Sequence, residues 1–326
     1  MLVSVVMSVY NSDKYLDDAI NSILNQSYKE FEFLIIDDGS SDNSEAIIKK
    51  YAANDRRIVL IKNEKNLGLA SSLNKGIHLA KGKYIARQDA DDLSAPDRLE
   101  KQVEFALRNS DIDVIGSNCF IIDISGSVVY QNKTYSKRRD FNSNLLNCKA
   151  IFPHGSVLLK KNKVLEVGLY DPRFYYSQDG ELWLRMISNK ARIHIMEQPL
   201  YYYRSAPRAF NKKYLAQCMY NNVKQMIYAD GEKPEVVKAE LEKVKIHIAN
   251  SEPILRPFYM ADYWKSLANG AYLNGGKLSV SYKYIIKAVQ ERNSPKNYIH
   301  YLAMCCMYLF PSKMVKSIFR IDQGTI

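Results

Sequence analysis

Short apolar runs alternate with amphipathic segments of helical period through the first 110 residues of the chain. The apolar runs are Val3 to Val9, Phe31 to Ile36, Ile58 to Ile61 and Tyr84 to Gln88, and the helical segments between them are Tyr15 to Leu24, Asp42 to Ala53 and Leu69 to Ala80. Strands that alternate with helices predict a parallel sheet with right-handed crossovers. A capping box of Asp42 and Glu45 is expected to begin the second helix.

The pattern changes after the fourth strand. Ser94 and Pro96 are expected to begin a helix, and the hydrophobic period from Asp113 to Tyr130 then moves towards two, which predicts antiparallel strands added to the sheet. The later predicted elements are a helix over 174–190, a strand from Arg192 to Met196 and helices over 211–229, 234–250, 257–273, 278–292 and 296–319. The expected fold class is α/β, a Rossmann-like mixed sheet flanked by helices, followed by an all-helical C-terminal region.

The net charge of +11 is concentrated in the last 126 residues of the chain. Residues 201–326 carry 19 Lys and Arg against 9 Asp and Glu, whereas the first 200 residues are nearly balanced. Such asymmetry indicates that the tail lies against an anionic partner, either phospholipid or nucleic acid. The alternative is that the positive charge forms a solubilising face.

The cysteines and the apolar runs exclude several classes of protein. Five cysteines, an odd number without CxxC spacing, argue against a disulfide framework and a structural zinc site. No run reaches the roughly 18 apolar residues of a spanning helix. The segment from Met1 to Tyr10 lacks a basic start and is interpreted as a buried strand instead of a signal peptide.

Acidic residues follow the fourth predicted strand. Asp89 and Asp91 are two positions apart, so strand alternation would point both side chains to the same side of the sheet, at the carboxyl edge where ligands bind in such folds. Hard oxygen ligands of this kind select Mg²⁺ or Mn²⁺, usually shared with substrate phosphates. For Asp92 an alternative role, capping the next helix, stays open.

A second acidic turn, Asp37 to Ser40, follows the second strand. Its carboxylates can accept hydrogen bonds from a base N–H or from ribose hydroxyls, and Gly39 permits a tight backbone turn. Ser41 and Asp42 are also expected to cap the second helix.

These motifs occur together in a recognisable order. The segments are Val3 to Asn11, Ser22 to Tyr28, Asp37 to Ser40, Asn66 to Leu69, Asp89 to Asp92, Pro96 to Leu99, His154 to Ser156, Gly168 to Asp171, Ser177 to Asp179, Leu182 to Arg185 and Tyr203 to Arg204. In order and spacing they resemble the family 2 inverting glycosyltransferases, which have the glycosyltransferase-A-type fold. The resemblance implies a catalytic domain over 1–205, with a nucleotide-sugar half (1–110) and an acceptor half (111–205), and a helical C-terminal region over 206–326.

The resemblance also implies roles for individual residues. It assigns nucleotide-sugar binding to Ser8, Tyr10, Asp37, Asp38, Asn66, Gly68, Asp89 and Ala90. Within this set Asp38, helped by Asp37, would bind the base and Asp89 the ribose. Asp91 would ligate the divalent metal, Mn²⁺ or Mg²⁺, and Asp179 would be the general base. This is chemically consistent, because displacement at an anomeric carbon needs a base for the acceptor hydroxyl and a cation for the departing diphosphate.

Three further residues are weaker candidates for contacts with the acceptor or the diphosphate: His154, Gln178 and Arg204. A loop histidine bonded to backbone and a stabilising surface arginine are the alternatives for the first and third. Arg185 is interpreted as a structural ion-pair partner. The family often has Glu before the base and an aromatic residue after it, whereas this chain has Gln178 and Gly180, and the glycine would leave space in the acceptor pocket.

The expected reaction is transfer of one sugar from a nucleotide-sugar, a UDP-sugar by preference, to a saccharide or lipid-linked saccharide in polysaccharide or glycoconjugate biosynthesis. No QxxRW sequence follows Asp179, which favours single-sugar transfer. The apolar segment 298–310 and the basic face of Lys313, Lys316 and Arg320 suit a membrane surface, with a core-packing helix as the alternative. We therefore expect a cytoplasmic protein, peripheral on the inner face of the membrane.

Two rival functions remain at this point. A sugar-phosphate nucleotidyltransferase would share the sheet and the metal carboxylates, but it normally has a Gly-rich loop where this chain has Tyr10 to Asp13. A nucleic-acid-binding protein would use the basic tail and bind in a salt-sensitive way. We expect no nucleic-acid partner.

Overall fold

The computed structural model describes residues 1–133, 140–146, 151–205, 212–231, 233–250, 267–268, 271 and 278–291. The strands are β1 (Val3–Val9), β2 (Phe31–Asp37), β3 (Ile58–Lys62), β4 (Tyr84–Gln88), β5 (Leu93–Ser94), β6 (Val114–Ile122), β7 (Val128–Asn132), β8 (Leu158–Lys160) and β9 (Ile193–Arg204). The helices are α1 (Asp13–Leu24), α2 (Ser44–Asn54), α3 (Leu69–Leu79), α4 (Arg98–Arg108), α5 (Phe141–Leu146), α6 (Lys161–Glu166), α7 (Gln178–Ser188), α8 (Lys212–Tyr228), α9 (Pro234–Asn250) and α10 (Leu278–Glu291).

The strands form one mixed sheet in the order β3-β2-β1-β4-β8-β6-β9-β5, and β7 pairs with β6. Strands β1 to β4 are parallel to one another where they pair, whereas β8 runs antiparallel to both β4 and β6. The predicted α/β class with a mixed sheet is confirmed. Parallel strands in such a sheet are covered by helices on both faces, which explains their predominantly apolar sequence.

The alternation of side chains along β1 builds a core on each face of the sheet. Val6 packs in the cluster that contains Leu73 and Ile77 of α3, while its neighbours Val5 and Met7 pack in the cluster with α1 and α4. Helix α3 lies very close to the sheet, because a Cβ at its Gly76 would be 2.6 Å from Val6 Cγ1. Buried side chains on both faces fix the register of the central strands.

The capping box at the start of α2 was wrong. The helix begins at Ser44, and the Asp42 carboxylate accepts hydrogen bonds from the backbone N–H groups of Ser44 and Asp13, each at 3.0 Å. Glu45 points away from the helix start and pairs with Lys49 at 2.8 Å and Lys62 at 2.7 Å. Both acidic side chains are therefore used by partners distant in sequence as well as by local ones.

The helix predicted to begin at Ser94 starts later, at Arg98. Leu93 and Ser94 instead form the short strand β5, which pairs with Tyr202 and Tyr201 of β9. Strand β9 is also longer than predicted, since it continues from the expected end at Met196 to Arg204. This extension carries Tyr201 to the β4 turn described below.

The C-terminal helices α8, α9 and α10 agree with the predicted helices over 211–229, 234–250 and 278–292. Contacts divide the chain into two units, one with the described residues of 1–119, 133–203 and 212–251, the other with those of 120–132, 204–211 and 252–326. The proposed boundary at 205 stays a prediction. Within the described ranges no helix is long and apolar enough to cross a bilayer. The predicted helix 296–319, with its basic face, and most of 257–273 lie outside the described residues.

Candidate active site

The carboxyl ends of β1, β2 and β4 meet at one edge of the sheet. Val9 of β1 is in register with Asp37 of β2, and Met7 of β1 is in register with Gln88 of β4. The residues that follow these strands, including Tyr10, Asp38 and the acidic turn after β4, therefore share this edge. Ser8 is half-buried near the end of β1, and the Tyr10 side chain is exposed.

The Asp38 carboxylate organises the loop that precedes α3. Its Oδ1 accepts hydrogen bonds from Asn63 Nδ2 at 2.8 Å and from the Leu67 N–H at 2.9 Å, and its Oδ2 accepts one from the Gly68 N–H at 2.9 Å. Asn66 adds a second acceptor for the Gly68 N–H, at 3.0 Å. Asp38 is 2% exposed, so this predicted base-binding residue already has three donors within the protein.

Its neighbour Asp37 is differently placed. Oδ1 accepts a hydrogen bond from the Ser40 N–H at 3.1 Å, but Oδ2 is buried and has no hydrogen-bond partner among the described residues. A buried acceptor without a partner costs free energy, which a ligand donor would recover. Gly39, at φ +74°, shapes the turn: a Cβ there would be 2.8 Å from the Lys65 carbonyl carbon.

The acidic residues after β4 lie in a turn. Because the strand ends at Gln88, the alternation argument for Asp89 and Asp91 was wrong, and the two side chains differ in environment. The Asp89 side chain is 27% exposed and pairs with Arg87 Nη2 at 2.5 Å, whereas the Asp91 side chain is exposed. Ala90, between them, is buried. The turn therefore carries one exposed carboxylate, Asp91, beside a half-buried carboxylate that is paired with Arg87.

Buried positive charge holds Asp89 ionised. Burial alone would raise the pKa of Asp89, but the Arg87 guanidinium, followed by His154, outweighs it and the pKa lies below its usual value. The Asp89 N–H also donates to the Tyr201 hydroxyl at 3.2 Å. A Cβ at Gly155 would be 2.8 Å from Asp89 Oδ2, so the glycine lets the turn after His154 approach this carboxylate.

Arg98 is fully buried behind the acidic turn, and its role was not predicted. It donates to the carbonyl oxygens of Arg87 at 2.8 Å and Val157 at 3.1 Å, and to Ser94 Oγ at 2.8 Å. Burial lowers the pKa of Arg98 to about 10, which leaves it charged at neutral pH. Its guanidinium also lies over the Tyr201 ring, 5.3 Å from the centroid. Arg98 thus braces the end of β4, the strand that carries Asp89.

His154 interacts electrostatically with Asp89, in the turn after β4, and with Asp179, the predicted general base. Its Nε2 is 2.7 Å from the hydroxyl of Tyr170. This hydrogen bond joins two side chains, whereas the alternative prediction for His154 was a bond to the backbone. Burial, then the Arg87 guanidinium, lowers the pKa of His154 to about 4, against the opposing charges of Asp179 and Asp89. The imidazole is therefore neutral at pH 7, and both carboxylates influence its pKa electrostatically.

Asp179 lies in the first turn of α7, half-buried, as predicted. The residue before the helix, Ser177, has a left-handed backbone at φ 62°. The next acidic residue, Glu181, is buried and pairs with Arg185 at 2.7 Å, which confirms the structural role expected for Arg185. The dipole at the start of a helix favours ionised carboxylates.

Two predicted features differ in detail from expectation. The space expected above Gly180 is filled, because Lys224 Nζ is 2.8 Å from the position that a Cβ would take. Arg204 is buried and donates to the Asp123 carbonyl oxygen at 3.3 Å, so its predicted phosphate contact stays a prediction. Gln178 is buried at the start of α7.

The described residues supply few candidate ligands for a metal ion. Within the described part of the chain, no group of three or more His, Cys, Asp or Glu residues is arranged to hold an ion. The donor set at the β4 turn, with its exposed Asp91, suits an ion such as Mn²⁺ or Mg²⁺ that takes most of its ligands from substrate phosphates and water.

Known proteins are similar to this chain in sequence and in fold. The profile of Glycosyl transferase family 2 matches residues 4–167. An uncharacterized glycosyltransferase of Methanocaldococcus jannaschii is 40% identical over 205 residues, which are 62% of this chain and 70% of that protein. The chain belongs to glycosyl transferase family 2. Membership makes it an enzyme, a glycosyltransferase, and confirms the resemblance found in the sequence motifs.

A second relative and two solved structures are also similar to this chain. The O-antigen biosynthesis glycosyltransferase WbnJ of Escherichia coli is 36% identical over 189 residues, 57% of this chain and 72% of WbnJ. Crystal structures of S. aureus TarS match with a TM-score of 0.56 over 94% of this chain and 91% of theirs, at 16% identity. The mannosyltransferase PcManGT of Pyrobaculum calidifontis matches with a TM-score of 0.53 over 98% of this chain and 83% of its own. These two likenesses concern the fold.

Proposed function

We propose that this glycosyltransferase moves a single sugar from a UDP-sugar to a hydroxyl group of a saccharide acceptor in surface-polysaccharide biosynthesis, with inversion at the anomeric carbon. The relative WbnJ is named for O-antigen biosynthesis. TarS has been crystallised with UDP and with UDP-GlcNAc, and PcManGT with GDP-Man and Mn²⁺. These names support a nucleotide-sugar donor and a divalent metal.

The observation that carries the proposal is that two carboxylates with different surroundings, Asp89 and Asp179, both lie close enough to His154 to act on it. Asp89 belongs to the turn after β4, residues 89–92, which we call the donor turn, and it is paired with Arg87. Asp179 lies in the first turn of α7, on the proposed acceptor side. Both act electrostatically on the same imidazole. Direct displacement with inversion needs this division, with one acidic group on the donor side and a base that faces the incoming hydroxyl.

On the donor side, we assign the recognition of the base to Asp37 in preference to Asp38. The buried Oδ2 of Asp37, which has no partner among the residues that the structure describes, is an acceptor suited to a ring N–H, such as that of uracil, while Asp38 holds the Asn63 to Gly68 loop. Asp89 would accept a ribose hydroxyl, and Ser8, Tyr10 and Ala90 would line the same edge. Divalent metal held by Asp91 would stabilise the charge of the departing diphosphate.

On the acceptor side, Asp179 would take the proton of the attacking hydroxyl group, which contributes on the order of 10²- to 10⁴-fold to the rate. The neutral imidazole of His154, fixed by Tyr170, and the amide of Gln178 would contact the acceptor or the diphosphate.

Location and acceptor carrier form a separate part of the proposal. The excess of positive charge in residues 201–326 would hold the protein on anionic lipid at the inner face of the cell membrane. A lipid-linked saccharide would then be presented to the active site at that surface. The catalytic domain would comprise residues 1–205 and the helical region 206–326.

A nucleotide-release assay across UDP-, GDP- and dTDP-sugars, with Mn²⁺ or EDTA, tests the reaction. We expect release of UDP that depends on metal and rises with a saccharide acceptor, and NMR of the product should show an inverted anomeric configuration. Release of pyrophosphate from a nucleotide and a sugar phosphate would support a nucleotidyltransferase instead. A retained anomeric configuration would refute the direct displacement.

A further inference from the structure

One face of α8 contacts the segment that carries the proposed base. Tyr220, Lys224 and Tyr228 are four residues apart, so their side chains lie along one stripe of the helix. The stripe belongs to the same unit as α7, although it comes after the predicted end of the catalytic domain.

The two tyrosines of this stripe hold the segment on either side of Asp179. The Tyr220 ring packs against Phe174, with centroids 5.3 Å apart, and its hydroxyl is hydrogen-bonded to the backbone of Tyr175. Tyr228 donates to Glu181 Oε1 at 2.7 Å. Helix α8 therefore contacts the chain both before and after the proposed base.

Lys224, in the middle of the stripe, is 3% exposed, and its Nζ occupies the place of a side chain at Gly180. An ammonium group is seldom buried to this degree unless acceptors or negative charge compensate it. It also lies beside the positive end of a helix dipole, which is unfavourable without a nearby carboxylate. The acidic residues of this turn are Asp179 and Glu181, and Glu181 is already paired with Arg185.

We propose that Lys224 is a positioning residue for Asp179: its ammonium group, seated at Gly180, fixes the first turn of α7 and hence the direction of the Asp179 carboxylate towards the acceptor. The inference rests on the proposed role of Asp179 as the base. It also explains the glycine, since any side chain at position 180 would displace the ammonium group. The position after the base is small because a residue of α8 fills it.

The first test replaces Lys224 by methionine, which keeps most of the volume and removes the charge. We expect kcat to fall about 10- to 100-fold, the loss that follows from a misplaced catalytic group. KM and Kd for the donor should stay within about twofold, because the donor turn is untouched. Tyr228→Phe is the matched control on the same stripe, since it removes the bond to Glu181 but keeps the ammonium; it should lower the melting temperature and leave kcat within about threefold.

A double-mutant cycle tests the link between the two positions. Gly180→Ala should reduce kcat in the wild-type background, because its Cβ displaces Lys224 Nζ. In the Lys224→Ala background, where this space is empty, the same substitution should change kcat by less than about twofold. Additive effects in the two backgrounds would overturn the proposal, as would a wild-type kcat in Lys224→Met.

Asp179→Asn, measured alongside, separates this inference from the proposed function. If Asp179→Asn abolishes transfer while Lys224→Met is fully active, Asp179 remains the base and only the positioning role fails. If Asp179→Asn is active, the base assignment fails, and the role of Lys224 fails with it.

Discussion

Isosteric amide substitutions at Asp37 and Asp38 should have opposite consequences, although the two residues are adjacent. In Asp38→Asn the amide oxygen can keep the bonds from Asn63 and Leu67, but the amide NH₂ then faces the Gly68 N–H in place of a carboxylate oxygen. Hydrogen bonds to a charged group contribute about 1.5–3 kcal/mol each, so we expect the free energy of unfolding to fall by about 2–3 kcal/mol.

In Asp37→Asn the amide oxygen can still accept from the Ser40 N–H, and the NH₂ replaces an oxygen that has no partner among the described residues. The free energy of unfolding should therefore change by less than about 1 kcal/mol. Binding of UDP should weaken about 30- to 100-fold, because a donor would face the ring N–H of the base and about 2–3 kcal/mol would be lost.

Urea denaturation of the two variants measures the first quantity, and calorimetric titration with UDP and Mn²⁺ measures the second. We therefore expect Asp38→Asn to be a stability variant and Asp37→Asn a binding variant. It would be refuted if Asp37→Asn were the less stable protein, or if Asp37→Asn bound UDP as tightly as the wild type does.

Two further predictions concern the turn after β2 and the pH dependence of stability. Gly39→Ala should lower the free energy of unfolding by about 3 kcal/mol, because the new Cβ adds a close contact with the Lys65 backbone to the usual cost of a left-handed residue. Gly231 is also left-handed but lies in open space, so Gly231→Ala should cost about 1 kcal/mol in the same urea experiment. His154 has a pKa of about 4 in the folded protein, below its ordinary value, so the stability it contributes is present above about pH 6.5 and is lost as the pH falls towards 4. Urea melts across this range should show a loss of about 3 kcal/mol that is reduced in His154→Gln; an equal loss in the variant would contradict this cause.

The central strands could be predicted to the residue because burial on both faces leaves a predominantly apolar sequence. Val3–Val9 and Tyr84–Gln88 are two such strands. The start of α2 could not be predicted in this way. Its predicted capping box does not form, because Glu45 pairs with Lys62 on β3 and the Asp42 carboxylate accepts a hydrogen bond from the Asp13 N–H.

The candidate residues could be found from their motifs, but their individual environments depend on contacts distant in sequence. The difference between Asp37 and Asp38 is set by the loop that begins at Asn63, which no local pattern reports. The stabilisation of the end of β4 by Arg98 depends in part on its hydrogen bond to the Val157 carbonyl group. Lys224 reaches Gly180 from a helix that the domain prediction placed outside the catalytic region.

The central claim is that Asp179 activates the acceptor hydroxyl while the acidic turn after β4 holds the donor. The rate of sugar transfer by Asp179→Asn, measured at saturating UDP-sugar and Mn²⁺ together with the Kd of the donor, tests it most directly. We predict a rate at least about 10²-fold below that of the wild type with an unchanged donor Kd. A rate of transfer equal to that of the wild type would contradict the account.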